Sequence, residues 1–176
     1  ALEAVKFVNP KLVVPVHYNT WPLIEQDAAA WGARVEEATD AKVKVIFEND
    51  FLTEGGAGLS SDDFKRKLCE ISERAGVDWV KTSSGYGFVK QADGSYTYKG
   101  ATEHDLKLMR ESCSDHVQVK AAGGVRDLDG LIKVRDLGAT RCGATATAKM
   151  LDDYLERAKS GDNESSSSST IGKGGY

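Results

Sequence analysis

Short apolar runs alternate with longer segments of helical periodicity along most of this chain. The runs predict strands at residues 12–16, 43–47, 77–81, 117–121 and 140–144. The intervening segments predict helices at residues 21–38, from Ser60 or Ser61 onward, at 102–113, at 128–137 and from the last strand to about residue 159. Strands that alternate with helices pair in parallel through right-handed crossovers, so the pattern predicts an α/β fold.

Local signals mark the ends of several elements. Thr102 is the predicted N-cap of the helix at 102–113. Gly138 is predicted to end the helix at 128–137. Residues 90–99 predict a β-hairpin insertion of structural role around Asp93-Gly94. Residues 160–176 contain five consecutive serines and bury too little apolar surface to fold alone, so they predict a flexible tail.

Side-chain alternation divides the predicted sheet into two unlike faces, because residues two apart in a strand share a face. One face is aliphatic and is expected to pack under the helices. The other face is mixed, and on three neighbouring strands it carries Lys44, Ile46, Glu48, Trp79, Lys81, Ser83, Gln118, Lys120 and Ala122. A mixed face of this kind suits the interior of a barrel.

Two strands end alike: Lys81 and Lys120 each follow apolar residues and precede small residues and glycine. The carboxyl ends of parallel strands are where α/β proteins place their chemistry. Burial and a neighbouring ammonium lower a lysine pKa from about 10.4, and the freed amine attacks carbonyl groups. The pair indicates Schiff-base chemistry beside glycine-rich phosphate-binding loops. Each of the two lysine motifs, taken alone, can also be explained without a function, as a solvated surface lysine followed by an ordinary turn.

Composition narrows the classes of partner. The 176 residues suffice for one well-buried domain, and 40% hydrophobic with 28% charged residues is ordinary for a globular protein. The net charge is −4 and there is no basic stripe, so we expect no nucleic-acid partner. We also expect no membrane association, because the sequence shows neither an apolar run long enough to span a bilayer nor a signal peptide. Three widely spaced cysteines argue against a disulfide framework or zinc site and for the cytoplasm. We expect no metal and no cofactor.

Several longer stretches carry a more specific pattern, namely KVIFE at 44–48, DWVKTSSG at 78–85, GAT at 100–102, VKAAGGVR at 119–126 and GATRCGA at 138–144. In this order and spacing they resemble the carboxyl-terminal half of 2-deoxyribose-5-phosphate aldolase, from about Lys42 to Tyr176. That family is a class I aldolase, a lyase built as a (β/α)8 TIM barrel. The resemblance therefore implies half of such a barrel.

The resemblance also implies site residues. Lys81 would be the Schiff-base lysine, Lys120 the second lysine that lowers its pKa, and Tyr176 a residue implicated in proton transfer. The implied phosphate-binding residues are Gly85, Gly123, Gly124, Gly143 and Thr145. Thr145 stands where serine is common in the family. The implied reaction cleaves a small-molecule sugar phosphate, 2-deoxyribose 5-phosphate, into glyceraldehyde 3-phosphate and acetaldehyde in nucleotide catabolism.

The beginning of the chain departs from that family, which has four further βα units before the strand at 43–47. Residues 9–24 instead resemble the end of a metallo-β-lactamase-fold hydrolase, in which the histidine corresponding to His17 is a metal ligand. The other ligands are absent, and a catalytic zinc needs about three protein ligands. We interpret His17 as a relic or structural residue. The chain is then a chimera, natural or designed, joined within the strand at residues 41–46.

These inferences define one α/β domain at 1–159, with a hydrolase-like segment at 1–41 and an aldolase-like half-barrel at 42–159, and a tail at 160–176. Half a barrel plus one additional strand–helix unit predicts an open sheet, with its first strand at an edge because it contains Pro15. An open sheet is expected to expose Trp79, Lys81 and Lys120 to water and to weaken catalysis, whereas a homodimer would restore the enclosure.

Three hypotheses for function follow. The first is the Schiff-base aldolase. The second is a catalytically inactive chimeric scaffold that retains a sugar-phosphate-binding pocket. The third is a metal-dependent hydrolase, which only His17 favours.

Overall fold

The computed structural model describes residues 2–10, 12–13, 27–53, 58–161 and 171–172. The strands are β1 (Leu12–Val13), β2 (Lys42–Ile46), β3 (Trp79–Lys81), β4 (Val89–Lys90), β5 (Tyr96–Thr97), β6 (Gln118–Ala122) and β7 (Ala139–Gly143). The helices are α1 (Leu2–Val8), α2 (Ala28–Ala38), α3 (Ser61–Arg74), α4 (Glu103–Glu111), α5 (Leu128–Asp136) and α6 (Thr147–Ser160). A short 3-10 helix spans Asn49–Phe51.

One parallel sheet organises these elements, with the strand order β1-β2-β3-β6-β7. Consecutive βα units thus lie side by side, as in one part of a (β/α)8 barrel. The predicted parallel α/β class is confirmed. Strand β1 lies at one edge of the sheet and β7 at the other. The predicted hairpin is also present, as the antiparallel pair β4–β5 with Gly94 at φ +85° in its turn.

Capping side chains explain where several helices begin. Ser60, rather than Ser61, is the N-cap of α3, because its hydroxyl accepts from the backbone N–H of Asp63. Thr102 caps α4 as predicted, accepting from the Asp105 N–H at 3.0 Å. Gly138 has φ +94° just after α5, a left-handed conformation that glycine adopts without strain.

The amino-terminal residues differ most from the prediction. Helix α1 is not among the predicted elements, and it buries none of its residues, so it lacks the core-facing stripe that the sequence pattern detects. The helix predicted at 21–38 is described only from Ala28, after the N-cap Asp27. Residues 21–26, and with them the start of that prediction, lie outside the described residues.

The hydrophobic core lies between the aliphatic face of the sheet and the helices. Strand residues Val43, Val80 and Val119 meet helix residues Leu106 and Met109 there. The predicted division into two faces therefore places the lysines on the side away from the helices. Within the part of the chain that is described, no helix combines the length and apolar character needed to cross a bilayer.

Candidate active site

Lys81 and Lys120 lie side by side on the face of the sheet that is turned away from the helices. Strands β3 and β6 are parallel neighbours, and their register pairs Lys81 directly with Lys120. Adjacent strands are about 4.8 Å apart, and paired residues of parallel strands point to the same side. The structure thus brings together the two lysines that the sequence analysis selected.

The electrostatic setting of Lys81 favours its neutral amine. Its side chain is half-buried, and burial lowers the pKa, with the Lys120 ammonium lowering it further. The Glu48 carboxylate acts in the opposite direction. Since the lowering effects dominate, Lys81 holds more free amine at neutral pH than an exposed lysine does. Free amine is the form that attacks carbonyl carbons.

A third lysine belongs to this cluster. Lys44 on β2 is only 3% exposed, and its pKa falls to about 8, first because of burial and then because of Lys120 and Lys81. Arg141 on β7 adds a fourth cation, in register with Lys120. The alternation pattern had placed Lys44 on this face, and Lys44 begins the KVIFE stretch, but the sequence analysis gave it no role in the site.

Glu48 connects the end of β2 to the loop that follows Lys81. Its carboxylate oxygens accept from the Ser84 backbone N–H at 3.0 and 3.1 Å. Glu48 itself has φ +54°, which is strained for a residue with a side chain. A Cβ on Gly87 would lie 2.5 Å from the Glu48 carboxyl carbon, so a larger residue there would displace this carboxylate. Glu48 thus fixes the loop and supplies the acidic group that acts on Lys81.

Trp79 does not have the exposure to water that was expected of it in an open sheet. Trp79 is only 7% exposed, although the order of the described strands leaves both edges of the sheet open. The Arg141 guanidinium lies 4.2 Å from the ring centroid, and the indole N–H donates to the Thr140 hydroxyl at 3.3 Å. The predicted exposure of Trp79 is therefore wrong, because residues of β7 cover it. Lys81 likewise keeps a lowered pKa in this open sheet.

Three of the predicted phosphate-binding glycines meet at the strand ends. Gly85, Gly123 and Gly124 all have left-handed backbones, with φ values of +87°, +86° and +77°. A Cβ on Gly85 would lie 4.0 Å from the Gly123 backbone, so the two loops are adjacent. The Ser83 hydroxyl donates to the Ala122 carbonyl and holds the loops together.

The other predicted site residues lie apart from this group or outside the described chain. Gly143 is beside Lys120, because a Cβ there would lie 3.7 Å from the Lys120 Cε. Thr145 is exposed between β7 and α6. Tyr176 and His17 lie outside the described residues. Within the described chain, no three His, Cys, Asp or Glu side chains are grouped to hold a metal ion.

Part of the tail returns to the glycine loops. Ile171 is buried in the core, and the Gly172 backbone is packed against Thr102 and Gly124. A Cβ on Gly124 would lie 3.3 Å from the Gly172 nitrogen. One apolar side chain of the tail, Ile171, thus packs into the core of the domain. The flexible tail at 160–176 stays a prediction.

The strand order and the lysine pair define a partial (β/α)8 barrel with an amine site at its strand ends. No protein-family model matches the chain. It is similar to the deoxyribose-phosphate aldolase of Rhodopirellula baltica, at 51% identity over 116 residues, which is 66% of this chain and 41% of that protein. The aldolase of Staphylococcus carnosus is 44% identical over 119 residues, 68% of this chain and 46% of that protein.

Solved structures agree with the fold. An aldolase named QR15 superposes with a TM-score of 0.59 and 27% identity, over 74% of this chain and 52% of that one. The deoxyribose-phosphate aldolase of Aeropyrum pernix, described as tetrameric, has a TM-score of 0.63 at 24% identity, over 88% of this chain and 59% of that one. The chain spans half or less of the curated relatives named above. The hydrolase-like interpretation of residues 1–41 and the chimeric join stay predictions.

Proposed function

We propose that this chain carries the amine half of a class I aldolase site acting on 2-deoxyribose 5-phosphate. The observation that carries the proposal is the register pairing of Lys81 with Lys120, with Lys81 half-buried and its pKa lowered. The names of the relatives support the substrate, since they are deoxyribose-phosphate aldolases. Lys81 is the nucleophile in this proposal, and Lys120 is its cationic neighbour.

The proposed reaction balances through one water molecule. The Lys81 Nζ adds to the aldehyde carbon of the open-chain sugar, and the carbonyl oxygen leaves as water to give a protonated imine. The bond between the second and third sugar carbons breaks, its electrons form an enamine, and the hydroxyl on the third carbon loses its proton. Glyceraldehyde 3-phosphate departs. The enamine is protonated on carbon, and water releases acetaldehyde and the free amine.

The proposal assigns the phosphate to the glycine loops and proton transfer to Tyr176. Gly85, Gly123 and Gly124 form the meeting point of two loops. The proposal adds Gly143, beside Lys120, and the exposed Thr145 to this phosphate site. Gly172 lies against Gly124, and four residues of extended chain reach about 13 Å. The position of Gly172 therefore supports a tail that delivers Tyr176 to this site.

Borohydride trapping tests the nucleophile. The full chain, incubated with 2-deoxyribose 5-phosphate and borohydride, is expected to gain substrate mass on Lys81, located by peptide mass spectrometry. Lys81→Ala abolishes that label, whereas the matched variant Lys90→Ala, which removes an exposed lysine of β4, keeps it. Equal labelling of Lys81→Ala and the native chain would refute the role of Lys81.

The scaffold hypothesis has a distinct outcome in the same experiment. A chain that retains only a sugar-phosphate pocket binds 2-deoxyribose 5-phosphate in calorimetry but acquires no label and releases no acetaldehyde. The described strands form a sheet with two unpaired edges, β1 and β7, and this is the observation that favours the second candidate.

Lys120 is tested by the pH dependence of trapping rather than by its extent. Lys120→Met removes the ammonium that lowers the Lys81 pKa, so the pH at which trapping reaches half its maximal rate rises. Each pKa unit regained lowers the free-amine fraction about tenfold at neutral pH. An unchanged pH profile with normal folding contradicts the assignment.

We further propose that two copies associate to enclose the lysine face. The two edge strands β1 and β7 are available for this, and α6 exposes Leu151, Tyr154 and Leu155 beside the β7 edge. The proposed reaction belongs to nucleotide catabolism in a reducing cytoplasm, which the free thiols of all three cysteines support. A strict monomer in light scattering at all concentrations, with phosphate present, would exclude the homodimer.

A further inference from the structure

Two cysteines meet in the helical layer, on the side of the sheet opposite the lysines. Cys69 in α3 is fully buried in the core, and Cys113, just after α4, is partly exposed and packs against the same core. The two thiols interact directly, since each is the largest influence on the pKa of the other. Together with the shared core, this interaction makes the two thiols neighbours between α3 and the end of α4.

The backbone around Cys113 is held against α3. Glu73 lies one turn after Cys69 on the same face of α3, and its carboxylate accepts from the Ser114 N–H at 3.1 Å. From the other side, the Arg110 guanidinium donates to the Cys113 carbonyl at 3.0 Å and to the Val117 carbonyl at 2.9 Å. The contact between the two cysteines is thus fixed by neighbouring residues of both helices.

The two thiols differ in reactivity. The neighbouring Cys69 thiol lowers the pKa of Cys113, and the Arg110 charge lowers it further, against the effect of burial. The Cys113 thiol and burial raise the pKa of Cys69. Cys113 is therefore the partly exposed thiol that ionises first, and Cys69 is a buried thiol that keeps its proton.

We propose that Cys69 and Cys113 are a modification site, at which a peroxide closes a disulfide between α3 and the end of α4. The Cys113 thiolate attacks a peroxide oxygen, the O–O bond breaks, and a sulfenic acid forms on Cys113 as the first hydroxide leaves and becomes water. The Cys69 sulfur then attacks the Cys113 sulfur, and the S–O bond breaks. The leaving hydroxide takes the Cys69 proton as a second water. Two thiols lose two electrons, and the peroxide gains them.

Cys142 provides the matched control within the same chain. It lies on β7, and burial raises its pKa to about 11, so it ionises less readily than Cys113. We expect it to stay reduced under conditions that oxidise Cys113.

Peptide mapping tests the proposal on the native chain. The reduced protein is treated with increasing hydrogen peroxide, its remaining thiols are alkylated, and the digest is analysed by mass spectrometry without reductant. The expected product is a cross-linked Cys69–Cys113 peptide that dithiothreitol reverses, with Cys142 alkylated. Accumulation of sulfinic acid on Cys113 while Cys69 stays alkylatable would overturn the proposal. Predominant cross-linking through Cys142 would overturn it as well.

Three variants and a thermal measurement separate this chemistry from general damage. In Cys69→Ala the resolving thiol is missing, so Cys113 proceeds to sulfinic acid at peroxide levels that give the native chain a disulfide. Cys142→Ser behaves like the native chain. Oxidation raises the thermal midpoint of the native chain by about 5–10 °C, because the bond closes the loop from 69 to 113, and leaves that of Cys113→Ser unchanged. An unchanged midpoint in the oxidised native chain contradicts the cross-link.

Discussion

At the scale of single residues, Lys44 and Lys81 each lie where the charge of a neighbouring lysine disfavours their own protonation. Lys44 is the more buried of the two and lies in register with Trp79. Charged groups buried without a counter-charge destabilise the fold, since desolvation is not offset by attraction. The same interaction that frees the amine of Lys81 therefore lowers the stability of the protein.

The destabilisation caused by the buried charge of Lys44 predicts that the stability of the protein depends on pH. Below about pH 8 the folded and unfolded chains both carry the Lys44 proton, so the full destabilisation is present. Between about pH 8 and the ordinary lysine pKa of 10.5 only the unfolded chain keeps the proton, so the free energy of unfolding rises with pH. Lys44→Met is expected to stabilise the protein at pH 7 by on the order of 2 kcal/mol and to flatten that rise.

Urea unfolding at pH 7 and pH 10 measures this effect. Lys42→Met is the matched control on the same strand, because the hydrogen bond and ion pair of Lys42 with Asp78 raise its pKa. That variant gains no stability at pH 7. A Lys44→Met protein that is less stable than the native chain at pH 7 would contradict the argument.

The surroundings of Gly100 predict how much stability the protein loses when a single methyl group is added there. A Cβ at Gly100 would lie 2.6 Å from the Gly123 carbonyl carbon, and its φ is +71°. Gly76 has the same φ with open space around the Cβ position. In unfolding experiments, Gly76→Ala is expected to cost about 1 kcal/mol from backbone strain alone. Gly100→Ala is expected to cost more than about 3 kcal/mol, because two backbones must separate. Equal costs would show that the close approach is unimportant.

At the scale of elements, α3 and α4 are joined by a buried ion pair. The Lys65 ammonium lies 2.6 Å from the Asp105 carboxylate, and both side chains are buried between the two helices. Because each charge loses its water on burial, the pair adds little net stability. Its contribution is to specify how α3 and α4 pack against each other. It also fixes the helix that Thr102 begins, next to the glycine loops.

Removing one member of this pair is expected to destabilise the protein strongly. Asp105→Asn leaves the Lys65 charge buried without a counter-charge, for an expected cost of about 3 kcal/mol in urea unfolding. The double variant Lys65→Met with Asp105→Leu regains most of that loss. Lys67→Met breaks an exposed pair on the same helix and changes stability by less than about 1 kcal/mol. A similar loss in the double variant would refute the charge-based explanation.

At the scale of the whole molecule, the open sheet presents its cations on one face. Lys44, Lys81, Lys120 and Arg141 share that face, and Glu48 is the acidic group acting on Lys81. Two copies that enclose the face would bring both sets of cations together, which opposes association. The proposed homodimer therefore needs anions inside it, and the phosphate of the substrate is one.

This charge argument predicts the salt dependence of association. Sedimentation velocity is expected to show a dimer fraction that rises with added phosphate, and more weakly with sodium chloride, since salt screens repulsion beyond about 10 Å at 0.1 M. Lys120→Met raises the dimer fraction at low salt, whereas Lys107→Met, on the exposed side of α4, leaves it unchanged. A dimer that dissociates as phosphate is added would contradict the arrangement.

The element pattern was predictable because it depends on local periodicity. Strands β2, β3, β6 and β7 were each predicted to within two residues, and Thr102 was identified as a cap from its own position in the chain. The site was predictable only in part. Alternation assigns Lys81 and Lys120 to one face of the sheet. The contact of Arg141 on β7 with the Trp79 ring on β3 was not predictable, because no local pattern links these two strands.

What the sequence alone determined is the parallel βα order and the chemical identity of the lysine pair, because both follow from spacing along one strand or one helix. What only the tertiary structure decided is how those residues influence one another. The register of β3 with β6 pairs Lys81 with Lys120, burial lowers the pKa of Lys44 to about 8, and helix packing brings Cys69 to Cys113. Desolvation and charge interaction depend on distances across the fold, and those distances exist only once the strands and helices have packed.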